Sequence, residues 1–378
     1  MNCIVCDEAI TELNDSDEHV IANAIGGRLK VSGVVCRICN PTTGRHWDSV
    51  LAEQLHPLSM MFAIKRERGA VPNLKATTVQ GDEIYIRRDG SLQPVPTAPI
   101  TYEESGQKLI RLTVTTMEEA REVLEKLKER RYPKLDVEKE LAAAQEQWTF
   151  NSVFKFQLGL GGLKSGRAIV KSALTWAAAN KVEARSCESA LRYLRDSEAS
   201  PPYGFYFERD LIAGRPERTP LHCVAVSSRE NEGQLLAYVE YFGVHRVVVC
   251  LSDRYEGPDI HCAYAIDPNA GRQLDLEFEI RLSRHDMQRC FDYQCLPKGA
   301  QEAAFHNVMP LAMQINQKHA MHDLAGRAAR YAFANCGAKP GTLLTDEQMR
   351  KLGPLVAQYV LRLVKTRAVP VPDVLGPT

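Results

Sequence analysis

At 378 residues the chain is long for one domain and sufficient for two or three. Its 44% hydrophobic and 25% charged residues and its mean hydropathy of -0.27 are those of a globular protein, and no window approaches the roughly eighteen apolar residues of a membrane span. Forty-seven basic residues balance forty-seven acidic ones, which argues against a protein that coats nucleic acid through bulk charge. The first residues, MNCIVCDEAITELND, lack the basic and apolar regions of a secretory leader, so a cytoplasmic location is the default expectation.

Taken in chain order, residues 1–66 form a first unit with a local charge dipole. Residues 7–18 carry six acids and no base, and residues 28–47 carry Arg28, Lys30, Arg37 and Arg45 and no acid. Such a dipole can set a cation site beside a rim that holds phosphate, or can be two solvated faces. The unit ends in a helical pattern from Asp48 onward, with Val50, Leu51, Leu55, Leu58, Met61 and Phe62 at helical spacing. Pro57 is expected to kink that helix or divide it.

Residues 67–150 read as a β-rich connector followed by helices. EIYIRRDGSLQ alternates around an Asp-Gly turn, KLIRLTVTT is a second strand signal, and QPVPTAPI is an irregular link between them. MEEAREVLEKLKERR (117–131) is a helix with acids early and bases late, and a further helix is expected over 136–148. The basic end (Lys126, Lys128, Arg130, Arg131, Lys134) reads as a solvated face with internal ion pairs in preference to a nucleic-acid contact.

Residues 151–378 form the third expected region, α+β in character and of unassigned role. GLGGLKSGR (159–167) resembles a phosphate loop only superficially, because Leu163 separates Gly162 from Lys164. It reads as a plain turn into a helix. Short β-branched and aromatic runs over 203–283 predict an antiparallel sheet, and helices follow around 300–333 and 345–366 before a proline-rich end. His319 and His322 share a helix face at a metal-ligand spacing but read as surface histidines.

Eleven cysteines, an odd count, argue against a disulfide framework. Seven lie scattered, mostly in apolar runs. The other four form Cys3-x-x-Cys6 and Cys36-x-x-Cys39, separated by 29 residues. Each pair offers two thiolates from one turn, and four thiolates satisfy a tetrahedral structural zinc, which a unit this small needs as a staple. Between the pairs lie Glu18 and His19, then Gly26-Gly27 as a turn. Asn40 follows the second pair, with Pro41 placed to begin a helix.

Cys-x-x-Cys, Glu-His-Val-Ile, Gly-Gly, then Cys-x-x-Cys-Asn with Gly44 and Asp48 resembles the zinc-knuckle HNH endonucleases of the ββα-metal fold. The resemblance covers about residues 3–48. It implies a small zinc-stapled ββα-metal domain and says nothing direct about the rest. With the antiparallel sheet and C-terminal helices read from the patterning above, the expected fold is α+β, that small domain followed by a larger mixed one. The resemblance further implies a metal-dependent endonuclease acting on nucleic acid, double-stranded DNA first, and leaving a 5′-phosphate and a 3′-hydroxyl. His19 matches the general base, Glu18 a ligand of a catalytic Mg²⁺ or Mn²⁺, and Asn40 the second ligand. Arg28, Lys30, Arg37 and Arg45 are candidates for the phosphate backbone. Two positions depart from the family pattern: its middle Asn is absent from the Val31-Ser32-Gly33 region, and Ala22 stands where the pattern has Pro. His46 or Asp48 can supplement Asn40, although Asp48 also fits a helix-packing role in Gly-x-x-x-Asp. The larger region is expected to recognise DNA, bind a regulator or mediate homo-oligomer assembly, with defence against mobile DNA as a context. The competing expectation is a zinc module that binds nucleic acid or a partner without catalysis.

Overall fold

The computed structural model describes residues 2–67, 71–78, 81, 83–87, 92–95, 100–104, 107–111, 114, 117–143, 154–155, 159–217, 219–228, 233–339 and 341–365. The chain forms two compact units, each assembled from two stretches: Met1–Val71 with Leu158–Asn316, and Pro72–Gln157 with Gln317–Thr378. The fold is mixed α+β, with the small N-terminal segment, the antiparallel sheet and the C-terminal helices that the sequence predicts.

The first unit is built on a six-stranded antiparallel sheet. Its strands run in the order Arg272–Leu274, His261–Asp267, His222–Ser227, Leu235–Tyr241, His245–Ser252, Tyr203–Phe205. Period-two alternation sends Val224, Val226, Ala237, Val239, Val247 and Val249 to one face and Cys223, Ala225, Leu236, Tyr238 and Val248 to the other. Antiparallel sheets often leave one face wet. Here both faces are covered, which is why the strands read as unbroken apolar runs. Met287, Cys290, Ile280 and Leu282 close the second face.

The first face is covered by the helix Leu163–Ala179, in which twelve of seventeen residues are buried. A helix apolar nearly all round belongs inside a protein. Its Ala168, Ala173, Ala177 and Ala178 are small enough to let it lie close to the sheet. The N-terminal segment completes this same core. Ile21, Ile25, Val35, Leu51, Leu55 and Phe62 are buried with the helix and the sheet, each worth roughly 1.5–3 kcal/mol if left exposed instead.

Within that segment, Asp15–His19 pairs antiparallel with Lys30–Cys36 in a hairpin, Glu18 opposite Val31 and His19 opposite Lys30. The turn between them needs both glycines. Gly26 has φ 106°, and a Cβ on Gly27 would meet the Ile21 carbonyl oxygen at 1.7 Å. The helix Cys39–Thr43 follows, widens to π geometry over Gly44–Asp48, and continues as Ser49–Gln54. A separate helix, His56–Met61, begins with Pro57 in its first turn, so the proline divides the predicted helix.

In the second unit the strands run Leu92–Pro94, Glu83–Ile86, Leu74–Thr78, Phe154–Lys155, with Pro94 on an edge strand where its missing N–H is tolerated. Residues of the predicted Asp-Gly turn, 88–91, lie outside the described set. Ile100–Glu104 and Gln107–Arg111 form a hairpin of their own. Met117–Arg130 is helical as predicted, while the helix expected over 136–148 is described only as Val137–Ala143. Lys126 pairs with Glu122 at 2.5 Å, and Lys128, Arg130, Arg131 and Lys134 are exposed. The long helix Ala300–Asn335 ends in this unit, where Tyr331 packs on Tyr359 of the helix Asp346–Lys365. Among the described residues no helix is long and apolar enough to cross a membrane.

Candidate functional site

The two cysteine turns converge. The sulfurs of Cys3, Cys6, Cys36 and Cys39 all lie within 4.8 Å of one another, and Cys6 Sγ is 3.8 Å from Cys36 Sγ. The Cys36 N–H donates to Cys3 Sγ at 3.4 Å. Burial opposes ionisation of Cys36, but the backbone amides of Cys39 and Ile38 outweigh it and bring the thiol down to about 7. That set of four soft, gathered thiols fits a tetrahedral metal centre. Arg195 clamps the first turn from outside, donating to the carbonyls of Ile4 and Cys3 at 3.2 Å and to Asp7 Oδ1 at 2.9 Å.

Glu18 and His19 sit next to each other on one strand and therefore face opposite ways. Glu18 points inward and is 3% exposed. Its Oε1 accepts from Lys171 Nζ at 2.8 Å, and the same ammonium donates to Asp48 Oδ2 at 2.6 Å. Glu18 Oε2 is buried with no hydrogen-bond partner. Burial alone would lower the Lys171 ammonium, but Asp48 and Glu18 hold it above its usual range and charged. Burial raises the Glu18 carboxyl and the neighbouring Asp48 carboxylate adds to it, against the opposing pull of the Lys171 ammonium.

His19 faces the other way, half-buried, with Nε2 3.7 Å from Glu67 Oε2 and no hydrogen bond to that nitrogen. Burial, with Lys30 adding to it, lowers the imidazole below its usual range, so it is neutral at pH 7. Glu67 is held in turn by Lys30 Nζ at 2.9 Å, and its N–H donates to Asn23 Oδ1 at 3.0 Å.

Asn40 Nδ2 donates to the Asp17 carbonyl at 2.9 Å and to Ser16 Oγ at 3.1 Å, tying the helix to the strand one residue before Glu18. The structure thus brings Asn40 to the Glu18 strand and Asp48 to Glu18 itself, while His46 is exposed. Of the four basic residues, Arg28 is bonded to the Lys65 carbonyl and Lys30 to Glu67, while Arg37 and Arg45 are exposed. His19, on the opposite strand face, is not gathered with the buried carboxylates. Among the described residues, the four cysteines are the one group of three or more His, Cys, Asp or Glu gathered tightly enough for a metal. His319 and His322 belong to no such group.

Two participants escaped sequence reasoning. Lys171 carried a readable signal: a lysine on a helix whose Ala168, Leu174, Thr175 and Ala178, three, four and seven positions away, all face the core. A basic residue on an apolar stripe demands a buried partner. Glu67 carried no such signal, because it reaches His19 through the fold of the chain and not through spacing.

Four clustered cysteines that pin a hairpin carrying Glu-His to a following helix form a ββα arrangement compatible with a zinc knuckle. Residues 3–56 match the HNH endonuclease family, and the match supports a nuclease-like function for this segment. No curated protein and no solved structure matches the chain.

Two donors of this segment, the Glu18 and Asp48 carboxylates, are of the type a hard cation takes, and Lys171 holds one oxygen of each. Glu18 Oε2 is an orphaned buried oxygen, and the Lys171 ammonium already stands between Glu18 and Asp48 where positive charge is favoured. Carboxylate and amide oxygens are the ligand types that Mg²⁺ and Mn²⁺ prefer.

Proposed function

We propose that the N-terminal segment is a metal-dependent endonuclease that hydrolyses phosphodiester bonds in double-stranded DNA, with zinc in the four-cysteine site and His19 as general base. The observation that carries this reading is the placement of His19: half-buried, with Nε2 buried and making no hydrogen bond, on a strand tied to the following helix by Asn40. A neutral imidazole on a rigid strand is the requirement for taking a proton from water near pH 7.

His19 Nε2 accepts a proton of the attacking water, the water oxygen bonds to phosphorus, and the bond from phosphorus to the 3′ oxygen breaks, that oxygen taking a proton from solvent. The products carry a 5′-phosphate and a 3′-hydroxyl. Once protonated, Nε2 lies within ion-pair distance of Glu67, which stabilises the imidazolium. Glu18 and Asn40, supplemented by Asp48, are the residues proposed to hold a divalent cation, which when bound would supply positive charge for the phosphate; Glu18 lies on the strand face opposite His19, so the two would have to meet the substrate from different sides of that strand. Arg37 and Arg45, exposed on the same segment, are proposed to contact the flanking backbone, while Arg28 and Lys30 are engaged by the Lys65 carbonyl and Glu67.

The test is cleavage of plasmid DNA by the full chain in millimolar Mg²⁺ or Mn²⁺, against His19→Ala. Cleavage by the wild type that His19→Ala lowers at least a hundredfold is expected; equal behaviour of the two proteins sinks the reading. A second reading, a zinc module that binds without cutting, is favoured by one observation: Glu18 and Asp48 are already held by Lys171. It predicts DNA binding that His19→Ala leaves intact and no cleavage by either protein.

A further inference from the structure

Lys171 is fully buried, 153 residues from Glu18 in sequence, and its ammonium bridges the two carboxylates nearest the proposed cation position. Removing an ammonium from water is unfavourable, and Glu18 and Asp48 offset that cost with charge-assisted hydrogen bonds of 2.8 and 2.6 Å. We propose that Lys171 is a tethered cation that competes with the divalent metal for Glu18 and Asp48, so that metal enters the site only as Nζ withdraws. This deepens the nuclease reading and rests on its assignment of Glu18 to the metal.

The competition follows from what each cation needs. Mg²⁺ or Mn²⁺ requires the same carboxylate lone pairs at about 2.0–2.2 Å that Lys171 now takes. Both cations on Glu18 Oε1 or Asp48 Oδ2 would set like charges a few ångströms apart with little water between them. Glu18 Oε2, buried and unpartnered, gives the carboxylate a second oxygen to offer while Oε1 is still released. The helix that carries Lys171 is also coupled to the site. The Gln54 side chain exchanges two hydrogen bonds with the Gly161 backbone, Nε2 to the carbonyl at 2.7 Å and the amide N–H to Oε1 at 3.2 Å. Arg167 stacks on Trp47, the neighbour of Asp48.

The experiment is a titration of the zinc-loaded full chain with Mn²⁺, free Mn²⁺ being counted by electron paramagnetic resonance. Wild type is expected to bind Mn²⁺ at this site in the millimolar range only, Lys171→Met at least tenfold more tightly, and Lys171→Met/Glu18→Gln no better than wild type. Loss of one positive charge would by itself attract Mn²⁺. Lys171→Met/Asp48→Asn, which keeps the wild-type net charge, must therefore also bind more tightly than wild type, and it carries the test where near-ultraviolet circular dichroism shows Lys171→Met unfolded. A micromolar site in wild type that Glu18→Gln removes overturns the proposal, as does a folded Lys171 variant without the gain. DNA cleavage is not read here, so a chain that shows the competition yet never cuts DNA sinks the nuclease reading and leaves the competition standing.

Discussion

The four cysteines come from two tight turns, Cys3–Cys6 and Cys36–Cys39, and each turn presents its pair by local geometry alone. The Glu18–Asp48–Lys171 cluster is assembled the opposite way, from a strand, a π-widened helical turn and a helix 153 residues distant from the strand. One cluster is soft, thiol-rich and reaches the surface at Cys6; the other is hard, carboxylate-rich and enclosed around Lys171. The difference separates two jobs. The cysteines hold the hairpin to its helix, and the buried ion cluster holds that hairpin to the sheet-bearing remainder of the first unit. A match to residues 3–56 therefore describes a segment that shares one core with residues far outside it.

Breaking the cysteine cluster should have the largest effect. Cys36→Ser, or exhaustive chelation, is expected to remove about one zinc per chain and unfold the hairpin, a loss on the order of 10 kcal/mol of apparent binding energy in zinc-stapled peptides. Elemental analysis and thermal melting check it, and an unchanged melting temperature would make the cluster dispensable. Breaking the other cluster comes next. Lys171→Met leaves the buried Glu18 and the half-buried Asp48 carboxylates unpaired and should destabilise the first unit by about 3–5 kcal/mol in urea titration. Lys171→Met/Asp48→Asn should lose less than Lys171→Met, because it removes one of the stranded charges.

Acid sharpens the comparison from the sheet side. Burial drives His222 and His245 down to about 4, with backbone partners opposing it only in part. The unfolded chain protonates both near its ordinary value of about 6.5, while the folded chain resists until about 4. The unfolded state therefore binds more protons across that window. Stability is fully present above 6.5 and falls as the pH drops toward 4, by up to about 3 kcal/mol per histidine. Urea midpoints at pH 7, 5.5 and 4.5 read this, and a flat series would contradict it.

Smaller effects on folding belong to His19 and to the exposed arginines of the N-terminal segment. His19→Ala is expected to change stability by less than about 1 kcal/mol while abolishing cleavage, a separation that a structural histidine would not give. Because burial and Lys30 lower the His19 imidazole, the acid limb of the cleavage rate should fall below pH 6.5, and a limb above 7 would exclude His19 as the base. Arg37→Ala and Arg45→Ala should leave the melting curve in place and each reduce the salt slope of DNA binding by about one.

Much of this was legible before any fold was known. The helix boundaries at Met117–Arg130 and the strands of the large sheet followed from periodicity, because both repeat within a few residues. Pro57 declared the break in the helix through its missing N–H and fixed φ, and Gly26-Gly27 declared the turn through the absence of a Cβ. The cysteine spacing declared a metal site because two thiolates in one turn need only the turn to be aligned.

Tertiary structure decided the rest. Which way Glu18 faces depends on hairpin register, and the partner it meets depends on how the Leu163–Ala179 helix lies against the sheet. Glu67 finds His19 only after the chain has returned past the hairpin. Charges interact through space over a few ångströms, whereas sequence orders residues along the chain, so a pairing across 153 residues leaves at most one trace in the sequence. Here that trace was a lysine on the apolar face of a helix, and only the packed core revealed what it holds.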